Sequence, residues 1–284
     1  MFIHLRQNLR IIIKLDSVFT EQKFFYIIMM LKRGIEMDNK SKIKYLKFGV
    51  VIGYVCVTIF VIYFLYSFIA GRVTAPLGSN EWYVQFEKSS QLKSNLPIAF
   101  IFMVIGSALI YFCQRPYQRL KSGIQGEART QNVLENLPSN YTILSNIPIE
   151  YEGQRSEIDN LILSNKGIVI VETKNYKGNI QGNEDDREWK ITKTSGKGNH
   201  YQDSIKNPIK QVKRQTYILS QILKQNQIHC WIDGYVFIHQ ATCFVNSDVV
   251  FTHSGNLIQT ILSSGKENTL SEEDMERIKK VLGQ

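Results

Sequence analysis

Residues 48–70, FGVVIGYVCVTIFVIYFLYSFIA, run for 23 positions without a charged side chain. At 1.5 Å per helical residue the run covers about 35 Å, enough to cross a hydrocarbon core of about 30 Å. A helix with no polar face has nothing to present to water, so the run predicts a transmembrane helix. A second uncharged stretch of 18 positions, LPIAFIFMVIGSALIYFC at 96–113, predicts another, with Pro97 tolerated in its first turn. Lys40, Lys42, Lys44 and Lys47 precede the first span, and Arg115, Arg119 and Lys121 follow the second. Basic flanks of this kind place both ends in the cytoplasm. Residues 37–47 are then a short cytoplasmic tail, 71–95 an external loop with Trp82 and Tyr83 suited to the interface, and 114–122 a linker. Neither span holds an Asp, Glu, His, Lys or Arg, so the pair reads as a lipid-bilayer anchor and not as an ion path.

The first 36 residues fit neither a signal peptide nor a span, because the apolar stretch Phe24 to Leu31 is eight residues long and is followed by Lys32 and Arg33. Lys32-Arg33-Gly34 is what the purine-rich AAA-AGG-GGA would encode, a ribosome-binding sequence shortly before Met37. The expectation is that 1–36 is a spurious extension and that translation starts at Met37; an endogenous protein whose intact mass begins at Met1 would refute it. The net charge of +9 arises before residue 122, since residues 122–284 hold 18 basic against 19 acidic side chains. The overall excess therefore says nothing about nucleic acid. Four cysteines without a C-x-x-C pair, two of them inside long apolar runs, argue against a disulfide framework or a zinc knuckle.

From Lys121 the pattern changes to alternating helix and strand periodicities over about 160 residues, one domain's worth. Gly123 and Gly126 bracket a turn, and Glu127 to Leu137 reads as a helix stopped by Pro138. Tyr141–Ile147 reads as a strand. Glu157–Leu163 and Gly167–Lys174 form a hairpin around a four-residue turn. Asn179–Gly182 and Trp189–Thr194 suggest further strands. Asn207 caps a helix that Pro208 opens and that runs to about Gln225. Tyr235–His239 and Ser247–Phe251 are strands, and Ser254–Leu262 and Ser271–Leu282 are closing helices. The fold class is α/β: a mixed central sheet flanked by helices, preceded by two transmembrane helices.

Along GIVIVETK, residues 167–174, side chains alternate, so Glu172 and Lys174 share a face with Ile168 and Ile170. Asp159, in EIDNLIL, begins the partner strand of the hairpin and comes near both. Two carboxylates so close repel unless a cation or a proton separates them, and hard oxygen ligands suit Mg²⁺ or Mn²⁺. A metal site for phosphodiester chemistry is one reading; a surface hairpin with a cross-strand ion pair is the other.

The order of motifs resembles the nuclease-related domain (NERD), a branch of the PD-(D/E)xK nuclease superfamily with a restriction-endonuclease-like fold. The resemblance spans roughly residues 123–263: G-x-x-G-E at 123–127, E-I-D-N-L-I-L at 157–163, G-I-V-I-V-E-T-K-N-Y-K-G-x-I at 167–180, Trp189, and N-P-I-K-Q at 207–211. It implies that Asp159 and Glu172 are metal ligands with Glu127 as a further acid, that Lys174 is the catalytic lysine, and that Gln211 is a polar positioning residue. The superfamily's usual proline before the aspartate is absent, Ile158 standing there. Trp189 reads as a packing residue, and the histidines as structural or surface groups.

Residues 187–214 carry eight basic against two acidic side chains, among them Lys190, Lys193, Lys206, Lys210, Lys213 and Arg214. Such a run suits the phosphate backbone of nucleic acid and equally a solvated face. As a partner, DNA is expected ahead of RNA, although these residues do not distinguish the two. The leading expectation is a membrane-anchored, Mg²⁺- or Mn²⁺-dependent nuclease at the cytoplasmic face. Its rival is a membrane-tethered nucleic-acid-binding or scaffolding module without turnover.

Overall fold

The computed structural model describes residues 39–196, 198–266 and 269–284. The expected extension 1–36 and Met37 lie outside the described residues. Two compact units divide the chain, one ending at Lys121 and the other spanning Ser122–Gln284.

The first unit contains α1 (Asn39–Ala70), α2 (Asn80–Ser94) and most of α3 (Leu96–Leu134). Two helices here are long and apolar enough to cross a membrane, and only 11% of the apolar window of each is buried by protein. Ile59, Ile62, Ile69 and Ile101 instead keep more than half of their surface exposed, the reverse of a soluble core helix. Small residues let α1 and α3 approach backbone to backbone: a Cβ on Gly53 would sit 2.7 Å from the Gly106 carbonyl oxygen, and a Cβ on Gly106 would sit 2.7 Å from that of Gly53.

Two expectations are corrected here. The segment 71–95 is not all loop, because α2 occupies its second half. The Ser79 side chain accepts from the Trp82 amide, and Glu81 and Lys93 sit at the ends favoured by the helix dipole. The linker 114–122 and the turn at Gly123–Gly126 do not exist as such, since α3 runs unbroken through Pro116 and both glycines to Leu134. Gly126 serves close approach: a Cβ there would lie 2.8 Å from that of Asn175, whose Nδ2 donates to the Ser122 carbonyl at 2.7 Å.

In the second unit a seven-stranded mixed sheet comprises β1 (Thr142–Tyr151), β2 (Gln154–Ser164), β3 (Gly167–Gln181), β4 (Glu188–Thr194), β5 (His200–Lys206), β6 (Ile232–Cys243) and β7 (Val250–Phe251). Strands β1 to β5 follow one another antiparallel, and β6 joins β3 in parallel and carries β7 on its other side. One face packs Ile168, Ile170 and Ile238 against Ile209, Val212 and Leu219 of α4 (Pro208–Gln225) and Ile278 of α6 (Glu272–Val281). The other packs Val169, Val171 and Phe237 against Leu134 of α3 and Leu257 and Ile261 of α5 (Ser254–Ser263).

The alternation of apolar residues placed the hairpin and α4 correctly, but not the strand limits. The expected strand Asn179–Gly182 is, up to Gln181, the end of β3 itself, which passes through an irregularity between Asn175 and Gly178. Ser247–Phe251 shrinks to the two residues of β7. Strand β5 went unpredicted because HYQDSIK is polar and almost wholly exposed, so no alternating apolar face marks it. Trp189 is fully buried in the core and donates its indole N–H to the Asn183 carbonyl at 2.8 Å, as a packing residue should.

Candidate nuclease site

Strand β3 changes partners along one edge. Its ladder with β2 ends at the pair Asn160–Val171, and its ladder with β4 begins at Asn179–Thr192. Between them the edge of β3 is split open, and Glu172 and Lys174 lie in that interval. Asp159 fills part of the gap: its Oδ2 accepts the Thr173 backbone N–H at 2.8 Å, doing with a side chain what a strand carbonyl does elsewhere. Opposite Asp159 along β1, Asn146 takes a positive φ of 56°, and no pair is formed there in the β1–β2 ladder. Asp159 is thus the one position skipped in the β1–β2 ladder and the first beyond the end of the β2–β3 ladder.

Glu172 is 1% exposed. Its Oε1 accepts from Lys174 Nζ at 2.5 Å and its Oε2 from Gln215 Nε2 at 2.7 Å. Lys174 also donates to Gln211 Oε1 at 3.1 Å, so α4 supplies two carboxamides, one turn apart, to the charged pair. Gln215 is fully buried, and its Nε2 makes a second bond to the Glu157 carbonyl at 2.8 Å. Its Oε1 has no hydrogen-bond partner among the described residues. Leaving a buried amide oxygen unpaired costs about 1–3 kcal/mol. The sequence reading missed Gln215; its spacing of four from Gln211 on a helix was the signal that could have found it.

Charge and burial oppose each other here. Burial and the neighbouring Glu172 push the Asp159 carboxyl up to about 7, against the pull of the Thr173 N–H and of Lys174. Burial disfavours the Lys174 ammonium, but Glu172 outweighs it and holds its pKa above the ordinary value. Glu127, half-buried on α3, is raised by burial and then by Glu157 and Glu172, so it belongs to the same electrostatic cluster. Behind the sheet, Thr173 Oγ1 donates to Thr130 Oγ1 at 3.0 Å, and Thr130 lies 2.9 Å from His239 Nε2. That network fixes the backbone whose N–H holds Asp159.

Among the described residues no three His, Cys, Asp or Glu side chains already stand close enough together to hold a metal ion. The donor set nevertheless fits a hard divalent cation, because it consists of carboxylate oxygens.

The expected phosphate-binding cations do not share one face. Lys190 and Lys193 project from opposite faces of β4, being three residues apart on a strand. Lys193 pairs with Asp203 at 3.2 Å. Lys206, exposed, ends β5 opposite Glu188. Lys210 donates to the Asp185 carbonyl at 2.6 Å and Arg214 to that of Arg155 at 3.2 Å. Lys213 lines a cavity between α4 and β6. A sum over sequence cannot see this division between strand faces and a helix.

Residues 122–239 match the model of the nuclease-related domain, NERD. The split in the sheet with Asp159, Glu172 and Lys174 falls inside the segment similar to that domain. An uncharacterized protein of Bacillus anthracis is 31% identical over 106 residues, which are 36% of this chain and 48% of that protein. The chain thus spans about half the length of this curated relative. No solved structure matches.

Proposed function

We propose that the chain is a membrane-anchored nuclease whose second unit hydrolyses phosphodiester bonds of nucleic acid, DNA in preference to RNA, at the cytoplasmic face and with a divalent ion. The observation that carries this reading is the meeting of Asp159, Glu172 and Lys174 in the open interval of β3, within the segment similar to a nuclease-related domain. Asp159 and Glu172, with Glu127 nearby, are the side chains that would hold Mg²⁺ or Mn²⁺. Such an ion supplies Lewis-acid polarisation of a phosphodiester oxygen and a water of lowered pKa. Lys174 is aimed by Glu172 and Gln211, and its ammonium would offset charge gathering on the reacting phosphate. The two apolar helices support anchoring in a bilayer.

A second reading, a catalytically inactive tether or scaffold for nucleic acid, draws support from Glu172, both of whose oxygens are engaged by protein donors. Full-length protein in detergent, given labelled DNA and RNA with MgCl₂ or MnCl₂, separates the two. The nuclease cleaves only with metal, and loses at least 100-fold of its rate in folded Asp159→Ala and Lys174→Ala. No cleavage of any substrate, with salt-sensitive binding that needs no metal, gives the second reading instead.

A further inference from the structure

The carboxamide of Gln215 has only one workable orientation. Both of its near neighbours, the Glu157 carbonyl and Glu172 Oε2, are acceptors, so the amino group must face them and the oxygen must face away. The oxygen is then left buried without a partner among the described residues. An aliphatic side chain of similar length would fill the same space between α4 and the sheet without that penalty, so packing alone does not account for an amide here. What the amide does is donate two hydrogen bonds, tying the carboxylate of one strand to the backbone of the next.

We propose that Gln215 is a positioning residue for the metal site: it holds Glu172 by Oε2 and so presents Oε1, the oxygen now on Lys174, for exchange onto a divalent ion. This rests on the nuclease reading above. The two oxygens of Glu172 thereby have separate tasks. The bond from Gln215 comes from a fully buried group on a helix packed into the core, and it is fixed by a second bond to Glu157. The bond from Lys174 comes from a longer and more exposed side chain, 20% accessible, which Gln211 can keep when Glu172 releases it. Holding one oxygen rigidly is what allows the other to change partners without the side chain swinging away.

The test is titration of MnCl₂ into the full chain in detergent, comparing wild type with Gln215→Met and Gln215→Asn, each checked by thermal unfolding. Methionine matches the volume and removes both donors; asparagine keeps an amide but retracts it by one methylene, and carries the test if methionine disturbs folding. The expected result is a 10–100-fold loss of Mn²⁺ affinity, the usual effect of removing a group that orients a ligand. In cleavage assays kcat falls while KM for DNA stays unchanged, a split that a purely structural residue would not produce. Wild-type Mn²⁺ affinity in a folded variant overturns the role of Gln215 and leaves the metal site standing. Wild type that takes up no Mn²⁺, even with oligonucleotide present, removes the metal reading and this inference with it.

Discussion

Asp159→Asn should stabilise the metal-free protein, and do so only where aspartate would be charged. The Asp159 carboxyl rises from 3.8 to about 7 in the folded chain because of burial and then Glu172. That is about a thousandfold in proton affinity, a ceiling of roughly 4 kcal/mol. Solvent reaching the partly exposed carboxylate reduces it to about 2 kcal/mol. A raised carboxyl binds its proton more tightly folded than unfolded, so its contribution is most favourable below the unfolded value of 3.8. It declines as pH rises and is gone above about 7. Asparagine has no proton to lose, and its Oδ1 still accepts the Thr173 N–H. The gain should therefore be a few tenths of a kcal/mol near pH 4, growing to about 2 kcal/mol at pH 8, or ~4–8 °C in Tm for a unit of this size. Thermal unfolding followed by emission of buried Trp189, with Trp82 and Trp231 changed to Phe, isolates the second unit. A shift of equal size at both pH values, or a loss of stability at pH 8, would refute the reasoning.

Lys174→Met leaves Glu172 as a buried carboxylate held by Gln215 alone. It should cost about 3 kcal/mol without metal, the lower end for a broken buried pair, and MnCl₂ should recover part of that loss in the same unfolding assay. If both apolar helices span the bilayer, Ser90→Cys in a chain with its four free cysteines replaced should react with an impermeant maleimide in intact cells. Glu135→Cys should react only after lysis.

Much of the site was legible because short-range rules fix it. Alternation in GIVIVETK places Glu172 and Lys174 on the face of Ile168 and Ile170, and that face meets α4. A tight turn brings Asp159 back beside them whatever the rest of the chain does. The uncharged runs likewise announce apolar helices without any tertiary knowledge, since solvent cannot tolerate them otherwise.

The rest depends on partners distant in sequence. Gly126 reads as a turn locally, yet it lies within α3, where its missing side chain makes room for Asn175. Strand β5 has no apolar stripe of its own and exists by pairing with β4. Gln215 is an ordinary helical glutamine until α4 is laid across β2 and β3, which buries it against Glu172. Sequence alone determined that Asp159, Glu172 and Lys174 come together, because strand period and turn length are local. Only the tertiary structure decided how those groups are charged, held and shared, because burial and the helix partners are set by contacts between distant elements, Gln215 and Glu172 being 43 residues apart.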